Sequence, residues 1–142
     1  MNENLERLCG LAREFAPPEA VVEAEAGFSL ALPDATLDFF APGDARGGAY
    51  CRVKVGDLGE QGCSGAFAEA ALKGNFFWRG TAGATLSLDE VANAIFLTDR
   101  FDDGAFADAP TLREYINDLL RTLFDWRARL GAGETAGKEA AV

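Results

Sequence analysis

Gly74-Asn75-Phe76-Phe77-Trp78-Arg79-Gly80-Thr81-Ala82-Gly83-Ala84-Thr85-Leu86-Ser87-Leu88-Asp89 joins the end of a small-residue helix to a strand through a glycine-spaced turn. Three consecutive aromatics, Phe76 to Trp78, stand at the junction. Gly80-Thr81-Ala82-Gly83 has a faint look of a phosphate loop, but it lacks the GxxxxGK[ST] pattern and has no lysine beside it. A turn entering a strand is the better account. Ala84, Leu86 and Leu88 then alternate with Thr85 and Ser87, the period of a half-buried strand. Three adjacent aromatics cannot all point one way on a strand. Core packing is their first reading, and contact with a second subunit or a bound peptide the next.

Upstream, Leu58 to Gly74 is rich in small residues and predicts a helix. Phe67, Ala70, Ala71 and Leu72 are expected to share a flank of it, and Gly74 or Asn75 to cap it. Gly62 and Gly65 make this helix intrinsically poor, so tertiary or subunit packing must support it. Small residues also let another backbone approach closely. Further upstream, Tyr50, Arg52 and Lys54 alternate with Cys51, Val53 and Val55, a strand with one apolar and one polar face. Pro42-Gly43-Asp44 and Gly47-Gly48 mark a loop before it. Phe28, Leu30 and Leu32, a Pro33-Asp34 turn, and Thr36 to Phe40 read as a hairpin. Leu5, Leu8, Leu11 or Ala12, and Phe15 form the apolar stripe of a first helix that Pro17-Pro18 ends.

Downstream, Ala94 to Thr98 is nearly continuous in apolar character and predicts a strand that is central or covered on both faces. Leu112, Ile116, Leu119, Leu123, Trp126 and Leu130 step by four and three along a last helix. Either Thr111 with Glu114, as a capping box, or Asp108 starts it, and Gly131 is expected to stop it. The order is helix, three strands, helix, two strands, helix. Such an order with hairpin-length links predicts an α+β fold with a mainly antiparallel, twisted sheet flanked by helices. One domain over 1–131 is expected, with 132–142 a disordered tail, since the tail has no apolar periodicity.

Composition narrows the chemistry. The 142 residues include 23 acidic and 13 basic side chains, a formal net charge of −10. That field repels nucleic acid and anionic membrane surfaces, and it either favours encounters with basic polypeptide or serves solubility alone. No histidine is present, which removes the commonest general base and metal ligand. Cys9, Cys51 and Cys63 are widely spaced without a CxxC, so neither a metal cluster nor a disulfide framework is expected. Cys63 lies near Glu60 and Glu69 in the sequence, with no cationic partner to make it a nucleophile, and is read as a structural thiol. The acidic runs at Asp89-Glu90 and at Asp99, Asp102 and Asp103 lack calcium-loop spacing and read as solvated loops. No catalytic residue, cofactor or metal is assigned, and the chain is expected not to be an enzyme. The acidic start, Met1-Asn2-Glu3-Asn4-Leu5-Glu6, has no signal-peptide pattern, and no apolar run is long enough to insert in a membrane. A cytoplasmic setting is expected.

Asn75-Phe76-Phe77-Trp78, the glycines of the turn at Gly80 and Gly83, the strand end Leu86-Ser87-Leu88-Asp89 and the closing Trp126-Arg127-Ala128-Arg129-Leu130 together resemble a known pattern. It is that of the class I type III secretion chaperones, the Tir chaperone (CesT-like) family. The resemblance extends in element order over residues 3 to 130 and is residue-specific from about 70 to 130. It implies a nonenzymatic homodimer that binds the N-terminal region of a secreted effector and keeps it export-competent, alongside components of the secretion apparatus. It also implies a dimer interface at Phe67, Ala70, Ala71, Phe77 and Trp78, and effector contacts at Leu5, Leu8, Phe28 and Leu30. All of these residues would serve equally well in a monomer's core. A small-ligand binding or sensory domain of similar fold is the alternative.

Overall fold

Apolar side chains every second residue, joined by turns too short for a crossover, dictate antiparallel strands, and the chain builds its sheet this way. The computed structural model describes residues 1–41, 43 and 47–141 and, of 132–141, the backbone alone. Helix α1 (Glu3–Arg13) is followed by a 3-10 turn (Pro18–Ala20) and strands β1 (Val21–Glu23), β2 (Gly27–Ala31), β3 (Thr36–Phe40) and β4 (Ala49–Asp57). Helix α2 (Gly65–Asn75), a 3-10 turn (Phe76–Trp78), strands β5 (Thr85–Asp89) and β6 (Ala94–Phe101) and helix α3 (Ala109–Ala141) complete the order. The fold is α+β, with a hydrogen-bonded strand order β1-β2-β3-β4-β6-β5. Strand β6, expected to be central or covered on both faces, lies between β4 and β5.

Contacts divide the chain into two units, Met1–Val53 with Thr98–Asp118, and Lys54–Leu97 with Leu119–Val142. In the first, register places Val21, Leu30, Leu37 and Val53 in one buried row. The neighbouring row stacks Phe28 on Phe39 at 4.8 Å and 3°. Helix α1 packs on β2 through a stripe that includes Leu5, Leu8 and Ala12. Its N-terminus is capped by Asn2, whose side-chain oxygen accepts from the Leu5 N–H at 2.8 Å. The opposite sheet face carries the row Val22, Ser29, Asp38, Arg52. There Asp38 accepts from Ser29 Oγ at 2.7 Å and pairs with Arg52 at 3.3 Å. Phe40 stacks on Tyr50 beside them.

Several boundaries depart from expectation. Strand β1 is too short to show a period in the sequence. Helix α2 starts at Gly65 rather than near Leu58, because Gly62 turns left-handed at φ +71° and Ser64 accepts from the Phe67 N–H at 3.1 Å, capping the helix there. Helix α3 is capped by Asp108, which accepts from both Thr111 N at 2.9 Å and Thr111 Oγ1 at 2.6 Å. Thr111 therefore serves as the donor to the cap. The backbone of α3 does not stop at Gly131 but stays helical to Ala141, over a segment rich in the helix formers Ala, Glu and Lys. Side chains of the expected tail 132–142 lie outside the described residues. So does the loop expected at Pro42-Gly43-Asp44, except for Gly43.

Asp99 on β6 accepts from the Tyr115 hydroxyl at 2.9 Å. Burial raises its pKa, against the lowering by Tyr115 and by the Arg100 N–H. The folded state therefore holds this proton more tightly than the unfolded chain does. Stability from Asp99 is full below the unfolded value of about 3.9 and is lost as pH rises through the folded value. Asp99→Asn mimics the protonated form and keeps an acceptor for Tyr115. Thermal unfolding is expected to show the variant above the parent in Tm at pH 7, with the gap closing toward pH 4.

Candidate interaction surface

The second unit is organised around Trp126, which is 1% exposed. Phe67 of α2 meets its ring edge-on at 5.9 Å and 85°. The indole N–H donates to the Gly80 carbonyl at 2.9 Å. Gly74 lies so close that a Cβ there would come within 2.6 Å of the ring. Arg129 covers the ring at 4.4 Å, and Arg127 donates to the carbonyls of Val55 and Lys54. Helix α2 and the turn after it are thereby held from inside.

What they present outward is apolar, and Leu88 of β5 is exposed as well. Leu72, Phe76, Phe77, Trp78 and Leu88 are each between 52% and 74% exposed. The expected core role of the three aromatics is corrected here: none is buried. The cause is backbone geometry. Phe77 at φ +50° and Trp78 at φ +56° occupy the left-handed region, which costs a non-glycine residue roughly 1–2 kcal/mol. The chain reverses, and the Phe76 and Phe77 rings meet edge-on at 4.7 Å. Trp78 Nε1 donates to Thr85 Oγ1 at 3.0 Å. Ala82 at φ +53° and Gly83 at φ +94° then lead into β5. A cluster of exposed, strained aromatics of this kind is a candidate contact surface.

The residues expected at a dimer interface divide accordingly. Phe77 and Trp78 are on the surface, Ala70 and Ala71 are half-buried on α2, and Phe67 is buried against Trp126. Leu72 does not share the Phe67 flank, since five residues turn a helix about 140° past a full circle. Leu5, Leu8, Phe28 and Leu30, expected to touch an effector, are each 2% exposed or less. They form the core of the first unit, because the buried faces of α1 and β2 close on each other. Leu72 and Leu88 were missed as surface residues; helical phase identifies Leu72, while Leu88 breaks the alternation that buries Leu86 on the same strand.

The open face of the first unit's sheet offers a different site. A groove of about 380 Å³ is lined by Gly27, Ser29, Asp38, Phe40 and Arg52, among others. It mixes an ion pair with aromatic surface, Arg52 lying 5.4 Å from the Phe40 ring centroid. Among the described residues no helix is long and apolar enough to cross a membrane.

Residues 49–127, more than half of the chain, match the profile of the Tir chaperone protein (CesT) family. No curated protein matches the chain in sequence. Among solved structures, a chain of the ExsC-ExsE complex is similar with a TM-score of 0.68 at 14% identity, covering 92% of this chain and 97% of that one. A chain of the HopA1-SchA chaperone-effector complex follows at TM-score 0.61 and 18% identity, covering 87% and 94%. A chain of the heterodimeric ExoU-SpcU complex, from the type III secretion system of Pseudomonas aeruginosa, gives 0.50 at 21% identity, covering 84% and 90%. These likenesses show the fold.

Proposed function

The chain belongs to the Tir chaperone protein (CesT) family, and from that premise we propose that it is a nonenzymatic homodimeric chaperone of type III secretion. It binds the N-terminal region of a secreted effector in the cytoplasm and keeps it export-competent. The observation that carries the dimer is the exposure of Leu72, Phe76, Phe77 and Trp78 along α2 and the turn after it, with Leu88 on β5, each more than half exposed. Single exposed apolar residues need no partner, but a cluster built on a braced helix and turn does. The first unit supplies the client site: an open sheet face with the groove at Phe40 and Arg52, and β1 at the end of the strand order. An extended segment can add to such an edge while its side chains enter the groove. The net charge of −10 favours clients with basic segments. Many weak contacts along one ribbon then sum to tight binding without ATP or metal.

Light scattering is expected to give twice the chain mass. Co-expression with a secreted protein encoded beside it is expected to yield a stable complex whose effector N-terminus resists protease. A strict monomer that forms no complex with such a protein would remove the reading.

A further inference from the structure

Strand β5 ends the strand order, with β6 as its neighbour. An edge strand presents alternate N–H and C=O pairs that another strand can capture. At Leu86 this pair is already taken, and by a side chain. The Asn75 amide donates to the Leu86 carbonyl at 3.0 Å, and the Leu86 N–H donates to Asn75 Oδ1 at 2.9 Å. This two-bond exchange is the pattern that a residue of a paired antiparallel strand makes. Trp78 Nε1 binds the Thr85 hydroxyl next to it, so the turn after α2 lies along the same strand. Asn75 is held in place for this: it ends α2 at φ −71° and ψ −16°, and the Gly80 N–H donates to the Gly74 carbonyl at 3.0 Å, closing the turn around it.

We infer that the Asn75 side chain is a one-residue substitute strand that closes the β5 edge to partner strands. Association on this side of the chain then proceeds through the side chains of Phe76, Phe77 and Trp78. Side-chain contact between like surfaces closes as a dimer, whereas strand pairing along an open edge permits further copies to add. Asn75 is thus a positioning residue for assembly, an inference that rests on the homodimer proposed above for its assembly consequence and on the two hydrogen bonds alone for the edge.

The test compares the parent chain with Asn75→Ala and Asn75→Asp by amide hydrogen exchange at Leu86 and by sedimentation over a range of concentrations. Asn75→Ala is expected to speed exchange at Leu86 by about tenfold, the effect of one neutral hydrogen bond, and to produce species larger than a dimer. Asn75→Asp keeps an acceptor for the Leu86 N–H but no donor for its carbonyl, and is expected to fall between. It also carries the test if the alanine variant does not fold. Unchanged exchange at Leu86, or faster exchange with no larger species, overturns the inference. A monomeric parent refutes the homodimer instead, and edge closure is then judged by whether the variants alone self-associate.

Discussion

Trp126→Ala is expected to destabilise the fold by about 3–5 kcal/mol, the usual range for removing a fully buried tryptophan. The indole is the common contact of three elements of the second unit. It receives Phe67 edge-on, lies against Gly74, and ties down the turn through the Gly80 carbonyl. Alanine leaves a cavity at all three places and an acceptor without its donor. Native proteins of this class of size hold only about 5–15 kcal/mol in all, so the variant should lie close to its unfolding threshold. Urea unfolding followed by circular dichroism measures the loss. Trp126→Phe separates packing from hydrogen bonding: it keeps most of the ring and loses the N–H, and should cost roughly 1–2 kcal/mol more than an isosteric swap. A loss below about 1 kcal/mol for the alanine variant would mean that the unit is not organised around this side chain.

Phe77→Asn should act almost entirely on assembly. The ring is 69% exposed, so the isolated chain gives up little burial. Asparagine is also one of the few residues that tolerates the left-handed backbone Phe77 occupies at φ +50°. The stability of the monomer is therefore expected to stay within about 0.5 kcal/mol of the parent. A central aromatic of an interface is commonly worth about 2 kcal/mol or more, so the dimer dissociation constant should rise roughly thirty-fold or more. Sedimentation equilibrium reads this directly, and thermal unfolding under monomeric conditions supplies the control. A dimer as tight as the parent's would place the interface elsewhere.

The hairpin of β2 and β3 and the two-faced β4 were legible because side chains that alternate across a pleat leave a period of two in the sequence. The Asp108 start of α3 was legible only as one of two choices. Asp108 and Thr111 each have the right chemistry, and only geometry makes one the acceptor of the other. Leu5, Leu8, Phe28 and Leu30 show a harder limit. An apolar stripe says that something covers it, but not whether the cover is the chain's own sheet or another protein. Phe76 to Trp78 escaped for a related reason: aromatics favour burial on average, and left-handed φ values at Phe77 and Trp78 have no signature in residue type. Asn75 was visible as a helix terminator, since asparagine commonly ends helices. Its second role needed Leu86, eleven residues on, brought beside it by the turn.

Arg7 donates to the carbonyls of Phe106 at 2.7 Å and Ala105 at 2.8 Å, across sequence separations of 99 and 98 residues. The unit it belongs to joins Met1–Val53 to Thr98–Asp118, so its first part is synthesised long before its last. Closing so long a span delays formation of the contact relative to the local hairpins. During translation at about 5–20 residues per second, α1 and its sheet therefore wait several seconds for their last strand and helix. The stripe of Leu5, Leu8 and Ala12 finds its cover on β2 early, so what stays unmet in that interval is the Arg7 guanidinium, whose two carbonyl acceptors are made last.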